Sequence, residues 1–196
     1  MLDKKEIDII RKEVEKSMKN GEIIETSKGD FAHFFLKNAF DSIETAKLLI
    51  EVSTKEEMQS SLGFPKFNGF LWVINSSYYS MFYTARALLD SRGITIKADN
   101  SVHSVTFNAL VYYFYLNGKL ERRFIEDFKE AGEEAFEILG KEKAKILIEE
   151  YSSEKEKRNK FTYEIGEIAI KGKAETSLKR AKKFNEEARK IIEESA

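Results

Sequence analysis

Residues 67–93 read FNGFLWVINSSYYSMFYTARALLDSRG, and the spacing within them decides the fold. Phe67, Phe70, Leu71, Ile74, Tyr78, Met81, Phe82, Ala85, Leu88 and Leu89 recur at the steps of three and four that place side chains on one face of an α-helix. Gly93 supplies the stop, because glycine enters the left-handed conformation that ends helices without a Cβ penalty. This predicts a central helix from Phe67 to Arg92. A second face, rotated from the first, reads Asn75, Tyr79, Tyr83, Arg86 and Asp90. Hydroxyls, an amide and a guanidinium suit a semi-polar groove or a helix interface. Ordinary amphipathic packing, with tyrosine tips in water, explains the same pattern.

Working outward, Ile7, Ile10, Val14 and Met18 predict an N-terminal amphipathic helix ending near Asn20-Gly21, docked on the bundle or on a partner. Phe35, Leu36, Ala39, Ile43, Ala46 and Ile50 give a second long helix, with Asp30 as its candidate N-cap. Between Ser53 and Lys66, the pairs Ser53/Glu56 and Thr54/Glu57 offer capping boxes before Gly63-Phe64-Pro65, so a short helical turn within a loop is expected. Beyond the central helix, Ser101 to Asn117 is apolar on both sides, and Phe124, Ile125, Phe128, Ala135 and Phe136 mark a helix from Glu121 to Leu139. Gly140 then reads as a boundary. The seam that follows, Ala144, Leu147, Ile148 and Tyr151, continues through Arg158, Thr162 and Ile165, which turns a guanidinium inward. Gly166 and Gly172 frame an expected connector before a last helix through Ala174, Leu178, Ala181, Phe184, Ala188 and Ile191. Ile94 to Ile96 is too short to require a sheet. The fold class expected is all-α: an up-and-down helical bundle over residues 30–196, with residues 1–29 as an N-terminal helical extension.

Composition narrows the chemistry. The 196 residues include no cysteine and two histidines, His33 and His103, which excludes disulfides and thiolate metal sites and leaves a zinc site only two imidazoles from distant segments. No metal and no cofactor is expected, with a carboxylate-only Mg²⁺ site left open. A net charge of −1 gives the whole chain no electrostatic pull on nucleic acid. One local cluster stands out, Lys173, Lys179, Arg180, Lys182, Lys183 and Arg189, and a solvated helix face is its first explanation. No apolar run is long enough to span a bilayer and no signal peptide is apparent, so a cytoplasmic protein without membrane contact is expected.

Three segments together resemble the HEPN family of helical domains, in its small prokaryotic branch. They are Ser77-Tyr78-Tyr79-Ser80-Met81-Phe82-Tyr83-Thr84-Ala85-Arg86-Ala87-Leu88-Leu89 with Gly93, then His103 at the start of the next helix, and finally Arg158-Asn159-Lys160-Phe161-Thr162-Tyr163. The resemblance runs from about Phe31 to Arg189. It implies a homodimer, nucleotide or RNA binding, and a partnership with a minimal nucleotidyltransferase in a toxin–antitoxin pair. It also makes Arg158 and Tyr163 the candidate catalytic residues, with Asn159, Lys160, Tyr79 and Arg86 as candidate nucleotide or RNA contacts. On the partnership reading, Tyr163 is the acceptor hydroxyl that the enzyme modifies.

The chain departs from the family's ribonucleases at one position: Tyr163 stands where they carry histidine. Metal-free RNA cleavage needs a base for the 2′-hydroxyl, an acid for the leaving oxygen and a cation for the phosphorane. Arg158 suits the last task alone, since guanidinium stays protonated and forks onto phosphate oxygens. A tyrosine with a pKa near 10 is ionised at about one part in a thousand at neutral pH. The expectation is therefore a binding protein without strong catalysis. The alternatives are a metal-independent endoribonuclease using Arg158 with Tyr163, and a structural homo-oligomeric bundle.

Overall fold

A computed structural model of the chain describes residues 2–27, 29–99, 101–151 and 160–194. In chain order its elements are α1 (Lys4–Lys19), β1 (Ile23–Glu25), α2 (Ala32–Thr54), α3 (Glu56–Ser61), α4 (Phe70–Asp90), β2 (Ile94–Ile96), α5 (Val102–Leu110), α6 (Arg122–Tyr151) and α7 (Lys160–Glu193). The described residues form an all-α helical bundle with one two-stranded ribbon.

The apolar stripe read from the sequence becomes the centre of the core. Val73, Ile74, Met81, Ala85, Leu88 and Leu89 of α4 are all buried. Around them α2, α4, α6 and α7 alternate in direction. Phe35 meets Arg86 and Ser80 bonds Ala39, so α2 is antiparallel to α4. Ser177 meets Glu134 while Phe184 packs on Phe128, so α6 is antiparallel to α7. Asn185 bonds Ser80, and Lys171 shares a cleft with Phe70, so α7 runs parallel to α4.

Two polar ties bind these helices. The buried Ser80 hydroxyl donates to the Ala39 carbonyl at 2.7 Å and accepts the Asn185 amide at 2.7 Å, joining three helices at one oxygen. On the other side Arg180, 9% exposed, reaches Asp127, Glu130 and Glu134 of α6 at 3.5, 3.1 and 3.0 Å. Arg180 of the basic cluster is thus engaged inside the protein, while Lys173, Lys179, Lys182, Lys183 and Arg189 are exposed.

The N-terminal residues pack on this bundle. Leu2, Ile10, Val14 and Ile23 belong to the common core, Lys129 of α6 pairs with Glu6, and Arg122 donates to the Leu2 carbonyl. α1 opens on a capping box between Asp3 and Glu6. β1 then pairs antiparallel with β2, Ile24 opposite Thr95, which replaces the loop expected at Ile94 to Ile96. Single strands of three residues carry no usable periodicity, so only the tertiary pairing defines them.

Several boundaries differ from the sequence reading. Asp30 does not cap α2; Phe31 occupies the N-cap position, and its N–H is taken at 2.7 Å by the buried carboxylate of Asp90 from the far end of α4. Asp90 also accepts the Thr95 hydroxyl at 3.3 Å, so one side chain ties α4, α2 and β2. The approach there is tight: a Cβ on Gly29 would lie 1.8 Å from the Asp90 carbonyl oxygen, and one on Gly93, which ends α4 at φ +73°, 2.1 Å from that of Thr26. Neither capping box forms at α3, because Thr54 bonds back to the Ile50 carbonyl and Ser53 accepts the Gly69 N–H. Gly140 does not interrupt α6, and Gly166 and Gly172 lie within α7. A glycine lowers helix stability by only about 1 kcal/mol, and the Lys-, Glu- and Ala-rich neighbours outweigh it. α4 itself is shorter than expected by Phe67 to Gly69, which lie in the loop, and by Ser91 and Arg92, which lie in the turn after it, and α5 ends in a π-helical turn, Val111–Tyr115.

Both polar ties are measurable by chemical denaturation. Ser80→Ala strands the buried Asn185 amide and should cost about 1–3 kcal/mol. Arg180→Ala leaves three carboxylates facing one another; a loss of about 2–3 kcal/mol is expected, less than for a fully buried ion pair because Asp127 and Glu130 reach water.

Candidate functional site

Where α4 emerges from the core, its outer edge carries Trp72, Asn75, Ser76, Tyr79, Tyr83 and Arg86, exposed or half-buried. Apart from the adjacent Asn75 and Ser76, successive members stand three or four residues apart, so they share one side of the helix. The antiparallel register brings a matching edge of α2 beside it: Phe35, Asn38, Ser42, Thr45 and Leu49. Apart from Arg86, none of these side chains is charged. The charges begin on the far side of α2, where Lys37 pairs with Asp41 and Lys47 with Glu44.

At one border of this surface the aromatic rings interlock. Tyr78 packs within 5.6–6.0 Å, between centroids, of His103 of α5 and of Phe128 and Phe136 of α6. His103 lies 4.3 Å from the Phe82 ring and 5.8 Å from Tyr79. The Tyr78 hydroxyl and His103 Nδ1 are 2.7 Å apart. Burial, with Tyr79 adding to it, pushes the Tyr78 phenol well above its usual range. Burial also pushes His103 below the ordinary imidazole range, and the nearby Arg86 cation acts in the same direction. Both groups therefore favour the neutral pair, with the Tyr78 O–H donating to an unprotonated Nδ1. His103 is a packing residue of an aromatic box. α5 is entered at Ser101 with no side-chain cap, so His103 does not cap it.

Of the expected contacts, Tyr79 lies half-buried on the uncharged surface beside Tyr83, centroids 6.0 Å apart. Arg86 lies there too, but its guanidinium is engaged. It donates to the Ile96 carbonyl at 3.0 Å and covers the Phe35 ring at 4.6 Å. Burial lowers its pKa, and Asp90 and Tyr83 oppose that shift. Arg158 and Asn159 lie outside the described residues. Lys160 and Tyr163 open α7, and the description of them is confined to the backbone. The helix register separates them from the α4 face. Tyr163 precedes Lys171 by about 12 Å of helix rise, whereas Tyr79 follows Phe70 by about 13 Å in the same direction, with Arg86 about 10 Å further on. Within one protomer the Tyr79–Arg86 face therefore stands far along the bundle from Tyr163. Parallel α4 and α7 cannot be foreseen from either helix alone.

Trp72 is passed over by the spacing analysis, as are Ser76 and the polar edge of α2 from Asn38 to Leu49. Trp72 falls outside the buried stripe, yet stands seven residues before Tyr79, and that interval is the available signal. Among the described residues no group of three acidic or imidazole side chains is placed to hold a metal ion, and no helix is long and apolar enough to cross a membrane. No family model matches the chain, and neither does any curated protein or solved structure.

The neutral histidine has a pH consequence. Above the unfolded imidazole pKa of about 6.5, both folded and unfolded chains hold neutral His103 and its contribution is complete. Below that value the unfolded chain binds the proton first, so stability falls with pH until the lowered folded pKa is passed. Stability measured by urea denaturation from pH 7.5 to pH 5 should decline more steeply for the wild type than for His103→Gln. Parallel profiles would show that His103 does not titrate differently on folding.

Proposed function

We propose that the chain is an HEPN-like helical protein whose working surface is the uncharged aromatic face of α2 and α4, and that it acts by docking a protein partner without strong catalysis of its own. The observation that carries this reading is composition: Trp72, Tyr79, Tyr83, Asn38, Ser42, Thr45 and Leu49 adjoin one another in a chain of which 34% is charged. Interface centres are depleted of charge and enriched in aromatic residues, with Tyr and Trp as frequent anchors. A two-fold axis over the face would set the surface against a second copy of itself, giving a homodimer. A nucleotidyltransferase of a toxin–antitoxin pair is the second partner of the reading, with Tyr163 as the acceptor hydroxyl and Arg158, Asn159 and Lys160 steadying the phosphate. RNA is less well supported on this face, because a phosphate backbone is held by cations and Arg86 is already engaged.

Light scattering after size exclusion provides the test. Wild-type protein should elute as a dimer, and Trp72→Glu or Tyr79→Glu as a monomer of unchanged helicity. A wild type that is monomeric alone, and that binds no nucleotidyltransferase, would remove the docking reading. The endoribonuclease alternative makes a separate demand: cleavage of single-stranded RNA in EDTA that is lost in Arg158→Ala.

A further inference from the structure

A cleft of about 750 Å³ lies at the opposite end of α4 from Arg86, between the α3–α4 loop and α7. Its loop is held by one buried amide. Gln59, 7% exposed, donates to the Val52 and Phe67 carbonyls at 2.9 and 3.2 Å and accepts the Lys66 N–H at 2.9 Å. The loop is therefore set by hydrogen bonds inside the protein. It holds Lys66 at φ +67°, and among the described residues no other non-glycine residue has positive φ. An L-residue is strained there, and glycine would relieve the strain. Strain of this kind concentrates at sites that use the side chain. Lys66 lines the cleft, and so does Lys171 of α7. Both lysines are exposed, and neither pairs with a carboxylate among the described residues.

We propose that this cleft binds a small phosphate-bearing molecule that also carries a planar ring. Two ammonium groups from separate elements match a phosphate dianion, and the N-terminal end of α4 adds a favourable field. A bare phosphate would leave most of the space empty, since volumes of this order house whole small molecules. Phe67 gives the wall a ring for stacking, and Ser53 and Glu56 place hydroxyl and carboxylate oxygens on the rim for sugar or ring hydrogens. The docking face plays no part in this site.

Calorimetric titration at low salt, with AMP, adenosine and inorganic phosphate as probes, tests the assignment. AMP should bind one per chain, and adenosine and phosphate each at least about tenfold more weakly. Lys66→Gly should raise the melting temperature, because it relieves the strained φ, and yet weaken AMP binding about tenfold; a purely structural Lys66 would not separate the two effects. Lys171→Gln should weaken binding similarly at unchanged stability. Absence of AMP binding at millimolar concentration, or wild-type affinity in both variants, overturns the proposal. Trp72→Glu should bind AMP as the wild type does, so failure of the docking face and failure of the cleft are read separately.

Discussion

Ser80 holds the bundle together. Its hydroxyl is inaccessible to water, donates to a backbone carbonyl of α2 and accepts an amide of α7, so three helices must approach within hydrogen-bond distance of one oxygen. Small side chains on the same helices fit that requirement: Ala39 and Ala46 on α2, and Ala181 and Ala188 on α7, are fully buried. A larger residue at any of them would push the helices apart and break the bond. With α2 and α7 drawn in behind α4, the side of α4 that remains outward is the one carrying Trp72, Tyr79 and Tyr83. The surface thus follows from the packing.

The two ends of α4 then have different chemistry. At its C-terminal end Asp90 is consumed by the α2 N-terminus and Thr95, and Arg86 by Phe35 and the Ile96 carbonyl, so the charges there serve the fold. At its N-terminal end Lys66 and Lys171 are exposed and free of carboxylate partners among the described residues. Between them lies an aromatic surface with almost no charge. Protein docking along the middle and phosphate capture at the lysine end are physically compatible, because neither uses the other's residues.

Much of the helical architecture was legible along the chain. Leu71 apart, which is half-buried, the stripe from Phe70 to Leu89 is buried as read, as is the seam from Ala39 to Ala46, and Gly93 ends α4 as its position suggests. The glycine rule failed at Gly140, Gly166 and Gly172. A lone glycine weakens a helix locally, whereas its neighbours propagate it cooperatively. The Asp30 cap failed for a related reason: the α2 N-terminus found a better acceptor in a carboxylate fifty-nine residues away. The candidate site was legible only as a list of residue types. Tyr79 and Tyr83 were visible as a second face, whereas the engagement of Arg86 and the exposure of Trp72 were not.

By itself, the sequence determined which residues lie on each helix face, because a period near 3.6 is a property of the local backbone and needs no partner. It also determined what chemistry is missing, since a chain without cysteine cannot make thiolate sites however it folds. Tertiary structure alone decided which faces meet. The β1–β2 pairing, the parallel course of α4 and α7, the cleft that Lys66 and Lys171 share and the separation of Tyr79 from Tyr163 depend on the direction and register of elements remote in the chain. Those follow from side-chain volume and hydrogen bonding at points such as Ser80, which no local pattern encodes.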